Sequence, residues 1–264
     1  MKIRLSVFIL LILHFTASAQ IHSYYLQNRT PEYAQVIRFY DSITKKNPCF
    51  KLIRGGLTDA GIPLYLLVIS KSKQFNPIAI RKQKKAIVMI NNGIHPGEPD
   101  GIDACINIVR DFAMNPTTIP ANVVICIVPV FNIDGALQRN SVMRMNQNGP
   151  IEFGFRGNAR NLDLNRDFIK CDAENTAALI RFMREWNPDV FVDTHVSNGA
   201  DYPYTMTLIS PNTGQRAVPS REIPYPELFS KDIYQQMKEK GMEICPYVES
   251  IGETPDSGLL EFNQ

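Results

Sequence analysis

The sequence is poor in histidine and tryptophan, and its cysteines form no recognisable motif. It has four histidines, one tryptophan and five cysteines in 264 residues. The cysteines are widely spaced, with no Cys-x-x-Cys pair and no Cys/His cluster, which argues against a thiolate metal site. Cys105 and Cys126 stand inside apolar runs and are predicted to be buried. An odd number of scattered cysteines leaves any disulfide unassigned.

An excess of charge is also lacking. The chain has 28 basic and 26 acidic residues, a formal net charge of +2. Such a balance gives no electrostatic footprint for nucleic acid or for an anionic membrane. After the N-terminus, no apolar run reaches the roughly 20 residues that a membrane-spanning helix needs. We therefore expect no nucleic-acid partner and no transmembrane segment.

The N-terminus has the features of a targeting segment. Lys2 and Arg4 precede an apolar run at residues 5–15, and Ala-Ser-Ala follows at residues 17–19. This is the pattern of a cleaved signal peptide. An uncleaved anchor helix is the alternative, but the apolar run is too short for it. We expect cleavage after Ala19, a secreted or periplasmic protein, and one domain over residues 20–264.

Apolar periodicity predicts an alternation of strands and helices. Thr30 is the expected N-cap of the first helix. Helices are predicted at residues 31–46, 100–113, 172–186 and 224–240, and strands at residues 64–70, 86–91, 122–130 and 190–194. The alternation predicts an α/β fold, a mostly parallel mixed sheet with helices on both faces. Ligands bind such sheets beyond the carboxyl ends of the strands, and the long polar loop at residues 132–165 is expected to be functional.

Two histidines lie just past predicted strands. His95 follows residues 86–91, and His195 follows residues 190–194. Glu98 stands three positions after His95, in a Pro-Gly turn that can aim both side chains at one point. Two histidines and one glutamate with an open fourth position are typical of catalytic zinc. Either histidine could instead be an ordinary polar residue at a strand end, because a lone His-x-x-Glu pair is common.

Three motifs in order strengthen the metal interpretation. They are His-Pro-Gly-Glu at residues 95–98, Val-Pro-Val-Phe-Asn-Ile-Asp-Gly at 128–135, and Leu-Asp-Leu-Asn-Arg-Asp-Phe at 162–168. Together they resemble the zinc carboxypeptidases related to carboxypeptidase A, with Ile133 where that family has proline. The resemblance runs from about Leu52 to Tyr204. It implies the fold of that family, Zn²⁺ on His95, Glu98 and His195, and a peptide substrate with a free C-terminal carboxylate.

The resemblance also implies roles for polar residues around the third motif. Asn165 and Arg166 would bind the terminal carboxylate of the substrate. Arg156, nine positions before Asn165, would polarise the scissile carbonyl and stabilise its oxyanion. Asp163 would orient a zinc-bound histidine. The alternatives for the oxyanion role are Arg144 and Arg160.

The family further uses a late glutamate as general base, on a C-terminal strand. Only 69 residues (264 minus 195) follow His195, and the family's usual residues do not surround Glu261. We therefore expect a truncated chain that lacks the base and the last strand and helix. The alternative is that Glu261 is the base of a shortened domain, with Tyr247 as a substrate-capping residue.

The sequence thus predicts an exported, monomeric zinc metallocarboxypeptidase that hydrolyses the C-terminal peptide bond through a zinc-activated water. Two alternatives stay open. One is a zinc amidohydrolase or deacylase of small N-acyl amino acids, which can use the same ligand set. The other is an inactive homologue that only binds carboxylates, because the general-base glutamate is not apparent.

Overall fold

A computed structural model of the chain describes five stretches, residues 21–145, 147–197, 202–209, 225–251 and 259–261. The chain divides into two compact units, one up to residue 198 and the other from residue 199. The predicted signal peptide at residues 1–19 lies outside the described residues. Among the described residues, no helix is long and apolar enough to cross a membrane.

The first unit alternates helices and strands, as the periodicity predicts. Its helices are α1 (Tyr33–Lys46), α2 (Pro77–Lys82), α3 (Asp100–Met114), α4 (Ile133–Ala136) and α5 (Glu174–Trp186). Its strands are β1 (Phe50–Leu57), β2 (Pro63–Ile69), β3 (Ala86–Asn91), β4 (Val123–Val128) and β5 (Val190–Asp193). Short 3-10 helices lie at Ile21–Gln27, Pro116–Thr118 and Leu164–Arg166.

The five strands form one mixed sheet in the order β1-β2-β4-β3-β5. Strand β3 pairs in parallel with β4 and β5, whereas β2 pairs antiparallel with β1 and β4. Asn91, the last residue of β3, lies opposite both Val128 of β4 and Asp193 of β5. The carboxyl ends of the three parallel strands therefore meet at one edge of the sheet.

Helices cover both faces of this sheet. Leu66 and Val68 of β2 face a buried cluster that includes Phe182 and Trp186 of α5. The alternate residue Leu67 faces the opposite side, where α1 and α3 pack. The strand period of two thus separates two hydrophobic cores, and the predicted α/β fold is confirmed.

Three local predictions need correction. Helix α1 begins at Tyr33, and its N-cap is Glu32 rather than Thr30; the Glu32 backbone N–H donates to the Gln35 side chain at 2.9 Å. Strand β1 was not predicted. The segment at residues 132–165 is not a plain loop, because it contains α4 and an isolated antiparallel bridge between Asn140 and Phe153.

The second unit contains one helix and four short strands among its described residues. Helix α6 spans Tyr225–Glu239, and the strands are β6 (Met206–Leu208), β7 (Ile244–Pro246), β8 (Val248–Ile251) and β9 (Leu259–Glu261). Strands β6 and β7 pair in parallel, and β8 and β9 pair antiparallel. The helix predicted at residues 224–240 is confirmed.

All five cysteines are free. Cys105 is 2% exposed and Cys126 is fully buried, which confirms the prediction that both behave as small buried hydrophobes. Burial raises the pKa of the Cys105 thiol to about 11. Both thiols are therefore neutral packing groups at physiological pH.

A buried asparagine fixes the segment that follows α4. The Asn132 side chain is fully buried. Its Oδ1 accepts a hydrogen bond from the Gly135 backbone N–H at 2.9 Å, and its Nδ2 donates to the Arg156 carbonyl oxygen at 2.9 Å. The Phe155 N–H donates to the Gly135 carbonyl oxygen at 2.9 Å. Asn132 thus ties the end of β4 to the backbone of Arg156.

We expect Asn132→Ala to lower the free energy of unfolding by about 2–3 kcal/mol, because it leaves the buried Gly135 N–H and the part-buried Arg156 carbonyl oxygen unpaired. Urea denaturation of the full chain measures this loss. Asn107→Ala is the control, since the half-buried Asn107 amide donates only to the Asp103 carbonyl oxygen of its own helix. Equal losses in the two variants would contradict the bridging role of Asn132.

Asp103 of α3 should make stability depend on pH. Burial and the negative charge of Asp100 raise its pKa to about 7. Because the folded state then holds the proton more tightly than the unfolded state, the contribution of Asp103 falls as pH rises from about 4 to 7. Asp103→Asn should therefore stabilise the chain by about 1–2 kcal/mol at pH 8 and have little effect below pH 4. Urea denaturation at both pH values measures this. The same gain in Asp111→Asn, at an exposed aspartate of the helix, would refute the assignment.

Candidate metal centre

His95 and Glu98 lie on a tight turn directly beyond β3. The turn begins at Gly93, whose φ of +66° lies in the left-handed region that favours glycine. The Phe131 N–H donates to the Asn92 carbonyl oxygen at 2.7 Å, and the Glu98 N–H donates to the His95 carbonyl oxygen at 2.9 Å. His95 is 3% exposed and Glu98 is 2% exposed. The turn therefore carries an imidazole and a carboxylate into the interior together.

His195 reaches the same point from the neighbouring strand β5. The preceding residue, Thr194, donates its hydroxyl to the Asn91 carbonyl oxygen at 3.1 Å, which fixes the end of β5 against the end of β3. The ring centroids of His95 and His195 are 5.3 Å apart. The ligand atoms of His95, Glu98 and His195 all lie within 4.8 Å of one another. The structure thus brings together the three residues that the sequence predicts as metal ligands.

Each histidine turns the same nitrogen towards Glu98. His95 Nδ1 lies 3.0 Å from Glu98 Oε1, and His195 Nδ1 lies 3.1 Å from Glu98 Oε2. The opposite nitrogens face other carboxylates. His95 Nε2 lies 3.2 Å from Asp163 Oδ1, and His195 Nε2 lies 3.0 Å from Asp193 Oδ2. These outer carboxylates place the ring hydrogens on Nε2, as in metal-ligating histidines.

This donor set fits a divalent cation. With hydrogens on both Nε2 atoms, each Nδ1 faces a carboxylate oxygen that is itself only an acceptor. Either a proton on Nδ1 or a cation must therefore lie between the two groups. Ligand atoms of tetrahedral zinc lie about 3.3 Å apart, given metal–ligand distances of about 2.0–2.1 Å, and the two N···O distances here are 3.0 and 3.1 Å. His95, Glu98 and His195 could therefore hold Zn²⁺ once their ligand atoms, which lie within 4.8 Å of one another, move closer together.

The charges of the site are strongly coupled. Burial alone would raise the pKa of Glu98, but hydrogen bonds with His195 and His95 and the nearby Arg144 guanidinium hold it well below its usual range. Burial would lower the pKa of His195, but its hydrogen bonds to Asp193 and Glu98 raise it to about 9. A proton on His195 Nδ1 and a metal ion therefore compete for the same nitrogen.

The three candidate arginines for the oxyanion role lie in different surroundings. Arg156 Nε donates to Asp163 Oδ2 at 2.9 Å, and Arg156 Nη1 lies 3.4 Å from His95 Nδ1. Arg144 Nη1 donates to Glu98 Oε1 at 2.9 Å. Arg160 instead donates to the Asp172 carbonyl oxygen at 2.7 Å. Arg156 and Arg144 therefore border the metal site, whereas the described contacts of Arg160 lie away from it.

Asn165 and Arg166 stand on a 3-10 turn that Asp163 attaches to the metal site. The Asn165 backbone N–H donates to Asp163 Oδ1 at 2.9 Å, the same oxygen that faces His95 Nε2. Arg166 is exposed, and its Nη1 donates to the Asn165 carbonyl oxygen at 3.0 Å. Among the described residues, no carboxylate pairs with its guanidinium. Arg166 therefore retains its capacity to bind an anion.

Asp193 is a site residue that the sequence reasoning missed. The signal was available, because residues i and i+2 of a strand share a face, which puts Asp193 beside His195. Two residues considered for other roles lie in the second unit. Glu261 is in β9, and its side chain is outside the described part, whereas the Tyr247 ring lies 6.1 Å from that of Tyr202.

Structural comparison places this architecture among metallocarboxypeptidases. The enzyme from Burkholderia cenocepacia is 18% identical, with a TM-score of 0.57, and the match covers 82% of this chain and 53% of that one. A Pseudomonas aeruginosa metallo-carboxypeptidase in complex with (2-guanidinoethylmercapto)succinic acid is 16% identical, with a TM-score of 0.55, 84% of this chain and 52% of that one. Bovine thrombin-activatable fibrinolysis inhibitor is 17% identical, with a TM-score of 0.58, and the match covers 83% of this chain and 76% of that one. The chain spans about half the length of the two bacterial structures.

Sequence comparison gives the family. No curated protein matches the sequence. A sequence model of the zinc carboxypeptidases matches residues 36–243, which include the ligand candidates and the turn that carries Asn165 and Arg166. The chain therefore belongs to the zinc carboxypeptidase family.

Proposed function

We propose that this chain is an exported zinc metallocarboxypeptidase that removes C-terminal residues from peptides. The observation that carries the proposal is the convergence of His95 Nδ1 and His195 Nδ1 on the two oxygens of Glu98, at 3.0 and 3.1 Å. Arg156 and the Asn165–Arg166 turn are joined to this centre through Asp163. Metal ligands, an oxyanion donor and a carboxylate-binding arginine are parts that C-terminal hydrolysis requires in addition to a general base.

The three ligands would hold the metal, and the outer carboxylates would hold the ligands. Zn²⁺ held there would supply a Lewis acid and make water acidic near neutral pH. Asp163 and Asp193 keep the Nε2 hydrogens in place, so that each Nδ1 lone pair faces inwards. The Val196 backbone N–H also donates to Glu98 Oε2 at 3.1 Å. The ligand set is thus oriented by groups that stay with the chain.

Arg156 is suited to act on the scissile carbonyl. Its Nε and Nη2 both lie 2.9 Å from Asp163 Oδ2, which anchors one edge of the guanidinium. Its side chain is 41% exposed, so the remaining N–H groups can donate to a carbonyl oxygen whose negative charge grows during attack. We infer that Arg156 binds this oxygen next to the metal.

Arg166 and Asn165 are suited to select a free C-terminus. A guanidinium binds a carboxylate through two parallel hydrogen bonds, and Arg166 is exposed and has only a backbone acceptor among its described contacts. The two residues follow Asp163 on one short turn. The distance from the anchored terminus to the hydrolysed bond would therefore be set by the Asp163 turn.

The export part of the proposal rests on residues 1–19 and their basic, apolar and small-residue pattern. Fractionation of the producing cell and N-terminal sequencing of the full-length product test it. A mature protein outside the cytoplasm that begins at Gln20 is expected. Intact Met1 on a cytoplasmic protein would refute it.

We expect the purified chain to bind about one equivalent of zinc and to release C-terminal residues from a mixed peptide panel in a chelator-sensitive reaction. His95→Ala should lose both zinc and hydrolysis, whereas the control His22→Ala should keep both. Elemental analysis measures the zinc, and mass spectrometry of the peptides measures hydrolysis.

Each other outcome redirects the assignment. Zinc binding with hydrolysis of N-acyl amino acids only would support the deacylase alternative. Zinc binding without any hydrolysis would support an inactive carboxylate-binding homologue. Absence of zinc from the wild-type chain would refute the ligand assignment.

We expect Arg166→Ala to lower kcat/KM for peptides with a free C-terminus by about 100-fold, the loss of a charge-assisted bidentate contact. Binding of the same peptides with an amidated C-terminus should not change. Steady-state hydrolysis of the free peptides measures kcat/KM, and calorimetric titration with the amidated peptides measures binding. Arg160→Ala is the control, because Arg160 lies six positions earlier and pairs with Asp59 at 3.6 Å. An equal loss in both variants would argue against the carboxylate clamp.

A further inference from the structure

Gly97 leaves space that the side chain of Arg144 fills. Gly97 directly precedes Glu98, and a Cβ added to it would lie 2.4 Å from Arg144 Cδ and 3.4 Å from Arg144 Nε. The backbone of Gly97 does not have a positive φ. Glycine is thus required here for space rather than for conformation. The missing side chain lets an arginine from a distant loop lie against the ligand turn.

The Arg144 guanidinium is a buried cation. Its side chain is 10% exposed, and its Nη1 lies 2.9 Å from Glu98 Oε1. Its Nε is buried and has no hydrogen-bond partner among the described residues. Burying a guanidinium with incomplete pairing is costly. This cost must be offset by a favourable interaction, and the adjacent negative charge of Glu98 supplies one.

Arg144 and the metal would share one carboxylate oxygen. Glu98 Oε1 receives Arg144 Nη1 at 2.9 Å and faces His95 Nδ1 at 3.0 Å. A divalent ion between His95 and Glu98 would lie within a few ångströms of the guanidinium, and like charges repel strongly in such a buried site. Hydrogen bonding from Arg144 would also withdraw electron density from an oxygen available to the metal.

We propose that Arg144 is a resident counter-cation of the metal centre. It keeps the buried Glu98 carboxylate paired and in position when no metal is bound, and it lowers the affinity of the centre for zinc. Arg144 is a positioning residue and not a ligand. This inference rests on the proposed zinc site. It adds two consequences, namely that the fold stays stable without the metal and that the bound metal exchanges more readily.

Two measurements on the full chain separate this role from a structural one. Arg144→Gln should tighten the dissociation constant for zinc by about tenfold, because it removes a positive charge close to the bound dication. The same variant should lower the melting temperature of the metal-free chain by about 5–15 °C, because Glu98 loses a buried partner. Competition with a chromophoric chelator at fixed pH gives the dissociation constant, and calorimetry of the metal-free protein gives the melting temperature.

Two further variants keep the test decisive. Gly97→Ala retains the charge but pushes the Arg144 stem away, so it should also tighten zinc binding, by a smaller factor. Arg144→Lys retains a cation and should stay closer to the wild type than Arg144→Gln. The control is Arg139→Gln, since the Arg139 side chain donates to the carbonyl oxygens of Thr30 and Glu152 at 3.1 and 2.9 Å. It should lower the melting temperature without changing zinc affinity.

The outcomes distinguish this inference from the proposed function. A wild-type chain that binds no zinc overturns both. A wild-type chain that binds zinc, with unchanged or weaker binding in Arg144→Gln and Gly97→Ala, overturns the counter-cation role and leaves the zinc site standing. Tighter zinc binding in Arg139→Gln as well would mean that general loosening of the fold causes the effect, and it would also overturn the counter-cation role of Arg144.

Discussion

The buried carboxylate of Glu98 determines how the rest of the site is arranged. Glu98 is 2% exposed, and an ionised carboxylate in such surroundings is stable only when it is paired and hydrogen-bonded. Its partners come from separate parts of the chain: the turn after β3, the loop that carries Arg144, and the end of β5, which contributes His195 and the Val196 N–H. The charge of Glu98 thus holds together segments that the sheet alone brings only near one another.

Asp163 plays the corresponding role between the candidate metal ligands and the turn that carries Asn165 and Arg166. One of its oxygens faces His95 and accepts from the Asn165 N–H, and the other accepts from Arg156. Hydrogen bonds from His95 and the charge of Arg156 hold its pKa below the usual range, although burial acts in the opposite direction. Since Asn132 separately fixes the Arg156 backbone, the guanidinium is positioned at both ends. A geometry that needs sub-ångström placement is thereby built on a long connection rather than on a strand.

The sequence predicted the parallel core of the sheet, the ligand group and Asp163, but not β1, Asp193 or the contact of Arg144 with Glu98. Strand β1 could not be predicted because Gly55 and Gly56 interrupt its apolar pattern, and glycine weakens a strand prediction. Yet a Cβ on Gly55 would lie 2.4 Å from Phe182 Cζ of α5. The residues that hide the strand are thus the ones that let a helix pack on it. His95 and His195 were predictable because both directly follow apolar strands. The contact of Arg144 with Glu98 could not be predicted from the spacing of neighbouring residues, because the two are 46 positions apart in the sequence.

The charges around the two histidines explain how a metal could change what the site attracts. With neutral histidines, as metal ligation requires, the buried and half-buried charges are three carboxylates and two guanidiniums, those of Glu98, Asp163, Asp193, Arg144 and Arg156. Their sum is one negative charge, which favours a cation. A bound dication reverses the sum to one positive charge, which favours an anion, and Arg166 adds a further positive charge on the adjoining turn. Once the histidines are neutral, the fixed charges would therefore favour a cation, and with that cation bound they would favour a carboxylate and an oxyanion. The same set of fixed charges can serve both steps because the metal alone changes the sign.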